Sequence, residues 1–468
     1  MTASFSAMNY IIKKFRRNIY PILFAVILLA AVVTRFAHLD KTAFFINDQG
    51  RDLLVLNTSL ETRKIPLIGP STSFNSRLGS FYFGPSYYYF LLPFFLISKD
   101  PLFITVVFPI LFMVGLMFLL GVKDLIDREK AIFLILVVFS GFSIYYSRFI
   151  WNLNLGYLLS FIIFSVFLRY RSRIGKTKKT ALLFGILSGL VFQVHYGMLF
   201  LYTGIIWFLQ KNRRWMVAGI LLSFAPFLAF DIRHTFILSR TFGGVIGTFL
   251  RNSKSEMFSF TPIFTKIFEF YLFPNTPFPT SIKALLGFIA YTIPLVVLFK
   301  SKRFIGRLLS LIYIFFLITF FIFKRDFDYY LACFFLYFYL GSAISLNSFA
   351  LKSRYALFLT TFFLMIFSYV NASSYFSTLK TSPYSISKQK EFARIIAQNQ
   401  PTGNKALDLS VFPHLDDRRG IEYLLLDTYD IRLDPNDRDK YIVCFQKDCA
   451  AKGCKILYKE QDVRIFKL

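Results

Sequence analysis

The sequence predicts an α-helical polytopic membrane protein with a small C-terminal α/β domain, and three observations point there. The chain of 468 residues is 56% hydrophobic and 20% aromatic but only 17% charged, which is more apolar surface than one soluble core can bury. Its apolar runs reach about 17 to 22 residues, enough for a helix to cross a hydrocarbon core of about 30 Å with every backbone hydrogen bond satisfied internally. From about residue 375 onward the composition turns abruptly polar and charged.

Taken in order, the apolar runs give about eleven spans: 18–38, 101–121, 131–147, 154–170, 180–195, 197–210, 215–231, 283–300, 304–323, 329–347 and 354–372. The first follows a basic stretch, Lys13, Lys14, Arg16 and Arg17, and so resembles a signal sequence. It is too long for an ordinary h-region and has no small-residue cleavage site, so it is expected to be a retained span with a cytoplasmic N-terminus.

Alternate loops must then be cytoplasmic and should hold the basic excess. Basic clusters fall on that side at Lys123, Arg128 and Lys130; at Arg169 through Lys179; at Lys211, Arg213 and Arg214; at Lys300, Lys302, Arg303 and Arg307; and at Lys352 and Arg354. The formal charge of +28 is therefore the signature of loops against anionic headgroups, not of a nucleic-acid surface, which would gather its basic residues on one water-exposed face.

An odd number of spans puts the tail outside. The division expected is a membrane domain over 1–375 and a small extracytoplasmic domain over 376–468. Helical patterns at Ser387–Gln398 and Asp416–Thr428 alternate with strand patterns at Lys405–Val411, Lys440–Phe445 and Lys455–Lys467. Cys333 reads as packing within the bilayer, while Cys444, Cys449 and Cys454 cluster in the tail, where one disulfide and one free thiol are compatible with an outside location.

The first outer loop, 39–100, carries an aromatic juxtamembrane helix over Phe83–Ile97, in which Tyr82 and Tyr87 to Tyr89 either anchor the interface or border a groove for a lipid chain. The notable polar residues lie at outer span ends or in outer loops: Asn47 to Asp52, Arg148 to Asn154, His195, Asp231 to His234, and Lys324 to Asp328. Ionisable groups at membrane depth cost at least about 2.5 kcal/mol on insertion scales, so their gathering on one side points to a shared aqueous cavity.

Within Phe45-Ile46-Asn47-Asp48-Gln49-Gly50-Arg51-Asp52 two carboxylates flank an arginine. Asp48 and Asp52 are each read either as a working carboxylate or as the cap of a helix that begins here. Arg148, Arg233, Lys324 and Arg325 are candidates for a phosphate, since a guanidinium binds phosphate oxygens through two parallel bonds; the alternative is snorkelling to headgroups. His195 and His234 are candidate ligands or proton carriers or else structural. Asp231 either serves the site or pairs with Arg233. Asn152 and Asn154 either hydrogen-bond a ligand or cap the fourth span.

The segment after the first span resembles the acidic first-loop motif of family 39 glycosyltransferases, in the GT-C superfamily. Gly84-Pro85-Ser86-Tyr87-Tyr88-Tyr89 resembles the family's aromatic juxtamembrane motif, and Tyr146-Ser147-Arg148-Phe149-Ile150-Trp151-Asn152 its second outer loop. Val194-His195-Tyr196 and Phe230-Asp231-Ile232-Arg233-His234 resemble motifs at later outer span ends. The resemblance covers residues 18–375 and leaves out the tail.

It implies transfer of a sugar from a polyprenyl-phosphate donor to a glycan, lipid or protein acceptor at the outer face of a cell membrane, with inversion at the anomeric carbon. Asp48 takes the place of the base; Arg51, Asp52, Arg148, Asn152, His195, Asp231, Arg233, His234, Lys324 and Arg325 are the candidates for the donor's phosphate and sugar. Where many members of the family have an acidic pair, this chain has Asp48-Gln49; Gln49 cannot be an anionic metal ligand or base, so a divalent metal stays an open alternative that the motif does not indicate. Rival readings are a flippase for lipid-linked glycans and an O-antigen ligase or polymerase. A flippase would place ionisable groups at mid-bilayer depth. No Gly-x-x-x-x-Gly-Lys-Ser/Thr, Gly-x-Ser-x-Gly or His-Glu-x-x-His motif occurs.

Overall fold

The computed structural model describes residues 2–76, 79–209, 212–252, 261–323, 328–377, 382–401, 403–445, 455–460 and 463–468. The chain begins with α1 (Thr2–Phe36), a short α2 (Leu39–Thr42) and α3 (Asn47–Thr62). A hairpin follows, β1 (Ser71–Ser76) and β2 (Gly79–Tyr82), which the aromatic periodicity of the first loop does not announce. Then come α4 (Ser86–Ile97), α5 (Pro101–Leu120), α6 (Asp127–Phe139), α7 (Gly141–Tyr146), α8 (Asn152–Ile174) and α9 (Lys178–Val194). The bundle continues through α10 (Leu199–Phe208), α11 (Arg213–Ser223), α12 (Ala225–Arg233), α13 (Ile237–Asn252), α14 (Thr261–Lys266) and a π-helical turn at Ile267–Leu272. It closes with α15 (Thr280–Phe299), α16 (Phe304–Phe323), α17 (Asp328–Leu331), α18 (Phe335–Ala350) and α19 (Arg354–Ser377).

Each of the eleven expected spans falls on a helix or a broken helix pair. Among the described residues, five helices are long and apolar enough to cross a membrane, within α1, α5, α8, α15 and α19, or six if α11 and α12, bent by 49°, form one span. The rest are shorter or interrupted. The expected span 131–147 breaks at Ser140, whose hydroxyl accepts from Ser143 N at 3.2 Å and so starts α7. The carbonyls freed at the end of α6 are taken by Arg35 of α1, which donates to Val138 O at 2.9 Å and Val137 O at 2.8 Å.

Close packing in the bundle uses small residues where lipid supplies no driving force. A methyl added at Gly185 of α9 would lie 2.2 Å from Met216 O of α11, and one at Gly219 would lie 2.2 Å from Leu182 O. At the end of the molecule away from α3, Arg303 donates to both oxygens of the buried Glu129, at 2.5 and 2.9 Å. Opposite charges so joined are tolerable at low exposure.

The tail folds as α20 (Ile386–Gln398), β3 (Ala406–Phe412), α21 (Arg419–Tyr429), β4 (Arg432–Leu433), β5 (Lys440–Cys444), β6 (Lys455–Glu460) and β7 (Val463–Lys467). The sheet order is β4-β3-β5-β7-β6, with β3 parallel to β4 and β5 and the other pairs antiparallel. The single strand expected over Lys455–Lys467 is a hairpin. Leu407, Leu409 and Val411 alternate onto the buried face of β3. Cys444 is disulfide-bonded; Cys449 and Cys454 lie outside the described residues.

This C-terminal sheet domain is seated on the first loop. Phe45 N donates to Tyr384 O at 2.9 Å and Ile386 N to Ala43 O at 3.2 Å. Lys390 pairs with Asp100 at 2.8 Å, and the Tyr423 hydroxyl donates to Lys99 O at 2.6 Å.

Candidate active site

Asp48 stands in the first turn of α3, where the helix dipole favours a carboxylate. Neither Asp48 nor Asp52 caps that helix. Gln49 does: its Oε1 accepts from Ile46 N at 3.2 Å. Gln49 is thus the residue that starts the helix, and both aspartates are left for other partners.

Those partners are shared. Arg51 donates from Nη1 to Asp48 Oδ1 at 2.7 Å and from Nη2 and Nε to Asp52 Oδ1 at 2.8 and 3.0 Å. Trp151, from the loop between α7 and α8, donates its indole Nε1–H to Asp48 Oδ2 at 2.9 Å. The Tyr88 hydroxyl donates to Asp52 Oδ1 at 3.3 Å. One face of a helix in the first loop, the second loop and the juxtamembrane helix therefore meet at two carboxylates.

The two carboxylates are not equivalent. The Asp48 side chain is 35% exposed and that of Asp52 is fully buried. Burial pushes the Asp52 carboxyl up from its usual 3.8 to about 6, with Arg51 pulling the other way and Asp48 adding to the rise. For Arg51, burial opposes the charged form, but Asp52 and Asp48 more than offset it and its pKa lies above the ordinary value. A carboxylate that accepts from Trp151 and Arg51 keeps lone pairs open to a further donor, and only Asp48 presents them outward.

Trp151 also joins this cluster to a cavity. Its ring stacks on Tyr146 and Phe149, with centroids 6.4 and 5.9 Å away. Both of those rings line a cavity of about 440 Å³, together with Thr42, Phe44, Phe142, Arg148, Glu269, Phe270, Tyr375 and Ser382. The lining is mostly aromatic, with one guanidinium and one carboxylate. Glu269 is itself paired with Lys283 at 2.6 Å.

Arg148 is buried and bound on both sides. Nη2 donates to Ala37 O at 2.6 Å and Thr42 Oγ1 at 2.7 Å, and Nη1 donates to the Tyr375 hydroxyl. It ties the outer end of α1 to α19 and forms part of the cavity wall, which is more than the headgroup snorkelling that its position allows.

The other expected residues are placed differently. Asn152 donates to Val194 O at 3.2 Å and Asn154 to Phe149 O at 3.0 Å. Neither caps α8, whose first turn follows Trp151 with no side-chain cap. His195, buried against Phe83, accepts at Nδ1 from Gly197 N at 3.1 Å, which in the neutral ring leaves the proton on Nε2. Asp231 does not pair with Arg233. It is buried and accepts from Leu238 N at 2.7 Å and Ser239 N at 3.3 Å, capping the start of α13. Arg233 and His234 are exposed, and His234 stacks on Phe230 at 4.0 Å. Lys324 and Arg325 lie outside the described residues.

Tyr87 and Tyr88 are buried in the protein, not spread along an interface. Among the described residues no group of three or more His, Cys, Asp or Glu side chains gathers as a metal site. Between Asp48 and Asp52 the cation is the Arg51 guanidinium, a donor set that does not suit a divalent ion as it stands.

No protein-family model and no curated protein sequence matches the chain. Solved structures do. The oligosaccharyltransferase of Archaeoglobus fulgidus superposes with a TM-score of 0.58 at 12% identity, over 91% of this chain and 65% of that one. ArnT from Cupriavidus metallidurans, solved bound to undecaprenyl phosphate, gives a TM-score of 0.57 at 10% identity, over 95% of this chain and 97% of that one. The chain thus spans slightly less than two thirds of the archaeal protein and nearly the whole of the bacterial one. The chain shares its fold with these two solved proteins.

Proposed function

We propose that the chain is a membrane glycosyltransferase that moves a sugar from a polyprenyl-phosphate donor to an acceptor hydroxyl, with inversion, at the outer face of the membrane. The observation that carries this reading is the placement of Asp48. It is a part-exposed carboxylate at the head of a loop helix, fixed by Trp151 and Arg51, and one aromatic layer from a cavity lined by Arg148. The shared fold with a protein solved on undecaprenyl phosphate supports the donor class.

In the reaction, Asp48 accepts the proton of the acceptor hydroxyl as its oxygen bonds to the anomeric carbon. The bond from that carbon to the phosphate oxygen breaks, and polyprenyl phosphate leaves with the electron pair. Arg51 orients Asp48 through the 2.7 Å bond to Oδ1, and Trp151 fixes the second oxygen. The aromatic cavity takes apolar or sugar faces of the donor, and Arg148 supplies positive potential to its phosphate. The positive-inside distribution of basic loops supports a cytoplasmic N-terminus and an outside location for the domain over 376–468. There α20 and α21 border the loop that carries Asp48, in position to present an acceptor.

The test is transfer of radiolabelled sugar from polyprenyl-phosphate donors by membranes containing the full chain. Label appearing on a glycan, lipid or protein acceptor supports the reading. Donor that crosses the bilayer of reconstituted vesicles with its sugar still attached contradicts it and makes the chain a flippase.

A further inference from the structure

At the end of the bundle away from Asp48 there is a second cavity, of about 490 Å³, between the end of α5 and the last turns of α8. α8 has 23 residues and starts beside Trp151, so at 1.5 Å per residue its two ends are about 35 Å apart. The cavity is lined chiefly by Lys123, Asp124, Arg169, Tyr170, Arg171 and Arg173. Arg171 donates to Asp124 Oδ2 at 2.7 Å and lies 4.3 Å from the Phe304 ring centre, so that pair is internally balanced. Arg169 and Arg173 sit 5.4 and 5.9 Å from the ring centre of Tyr170.

Among the described residues no carboxylate pairs with Lys123, Arg169 or Arg173. A helix C-terminus attracts cations, but its dipole amounts to roughly half a charge, against three uncompensated ones here. All three are exposed and so partly screened by water and salt, and together they favour an anion at this end of the bundle.

The surface beside the cavity says which kind. On α5, Ile110, Val114 and Met117 are 47%, 36% and 59% exposed, and with Gly121 they follow the spacing of one helix face. Gly121 lines the cavity, and a methyl added there would lie 2.5 Å from Arg169 Nη1. The apolar stripe therefore ends directly beneath a guanidinium. From Ile110 to Gly121 the helix rises about 16 Å, close to half of a hydrocarbon core of about 30 Å.

We propose that this cavity is a binding site for the phosphate of an anionic membrane phospholipid, with an acyl chain lying along Ile110, Val114 and Met117. Arg169 and Arg173 hold the phosphate oxygens by charge-assisted bonds, and Lys123 adds a third cation. The site is separate from the Asp48 centre and does not depend on the reaction proposed there.

The experiment is native mass spectrometry of the purified full chain in neutral detergent, with phosphatidylglycerol or phosphatidylcholine of identical acyl chains. Phosphatidylglycerol should be retained and phosphatidylcholine lost. K123Q/R169Q/R173Q should retain about tenfold less phosphatidylglycerol, the scale of one charge-assisted bond, while R213Q/R214Q on another loop should retain it as the unaltered chain does. Val114→Ser with Met117→Ser, which leaves every cation in place, should also lower retention and covers the case in which the triple variant fails to fold. Equal retention of both lipids, or unchanged retention in the variants, overturns the proposal. If inorganic phosphate alone raises the unfolding temperature through the same three cations and no lipid is retained, the site takes free phosphate and the lipid assignment is overturned.

Discussion

Gly50 and Arg419 meet backbone to backbone: a methyl added at Gly50 would lie 2.2 Å from both the carbonyl carbon and the oxygen of Arg419. A second close approach lies beside it, since a methyl at Gly420 would lie 2.3 Å from Phe45 O. Gly50 is two residues from Asp48, so α21 of the C-terminal domain is packed against the helix that presents the proposed base.

Gly50→Ala should therefore drive the two helices apart. The cost expected for such overpacking is about 1–3 kcal/mol, seen as a lower unfolding temperature of the purified chain. Transfer activity should fall further than folded protein does, because Asp48 moves with α3. A variant as stable and active as the unaltered chain would show that the domain does not set the position of α3.

Trp151→Phe keeps the ring and its stacking on Tyr146 and Phe149 but removes the 2.9 Å bond to Asp48. A hydrogen bond to a charged group contributes roughly 1.5–3 kcal/mol, so kcat should drop about 10- to 100-fold. Expression and the KM for the donor should change little. Steady-state kinetics on equal amounts of folded protein decides it.

Buried Asp52 makes stability depend on acidity. Its carboxyl titrates at about 6 in the folded chain against a usual 3.8, so between those values the folded state binds more protons than the unfolded state. Stability then falls as pH rises from about 4 to about 6 and is level above it, a change of order 3 kcal/mol from this group. Asp52→Asn should flatten that part of the curve. Chemical unfolding at several pH values measures the slope.

The sequence carried much of this arrangement and missed specific parts of it. Among the described residues, apolar run length located each of the five helices long enough to cross a membrane, because length and hydropathy are local properties; it did not locate α13, which lies in a segment read as an outer loop. It could not locate the break at Ser140, which depends on Arg35 arriving from α1 to satisfy Val137 and Val138. Asp48 was legible as a first-loop carboxylate, but its partner Trp151 lies 103 positions away and only folding joins them. The same holds for Asp231: Arg233 is the nearer charge along the chain, yet the backbone N–H groups of α13 take the carboxylate. Gln49 reads as a lost acidic ligand until its bond to Ile46 N shows it to be the cap of α3; a glutamine in the third position of a helix is a signal that could have been used. The hairpin β1–β2 had no alternating apolar pattern to reveal it, since Ser71-Thr72-Ser73-Phe74-Asn75-Ser76 is mostly polar.

The most direct measurement is sugar transfer from a labelled polyprenyl-phosphate donor by Asp48→Asn, at matched protein level and with its unfolding temperature verified. Asparagine keeps the size of the side chain and can still accept from Trp151, but it cannot take a proton from the acceptor. The account predicts a loss of at least about 100-fold with donor binding retained; transfer at the rate of the unaltered chain would contradict it.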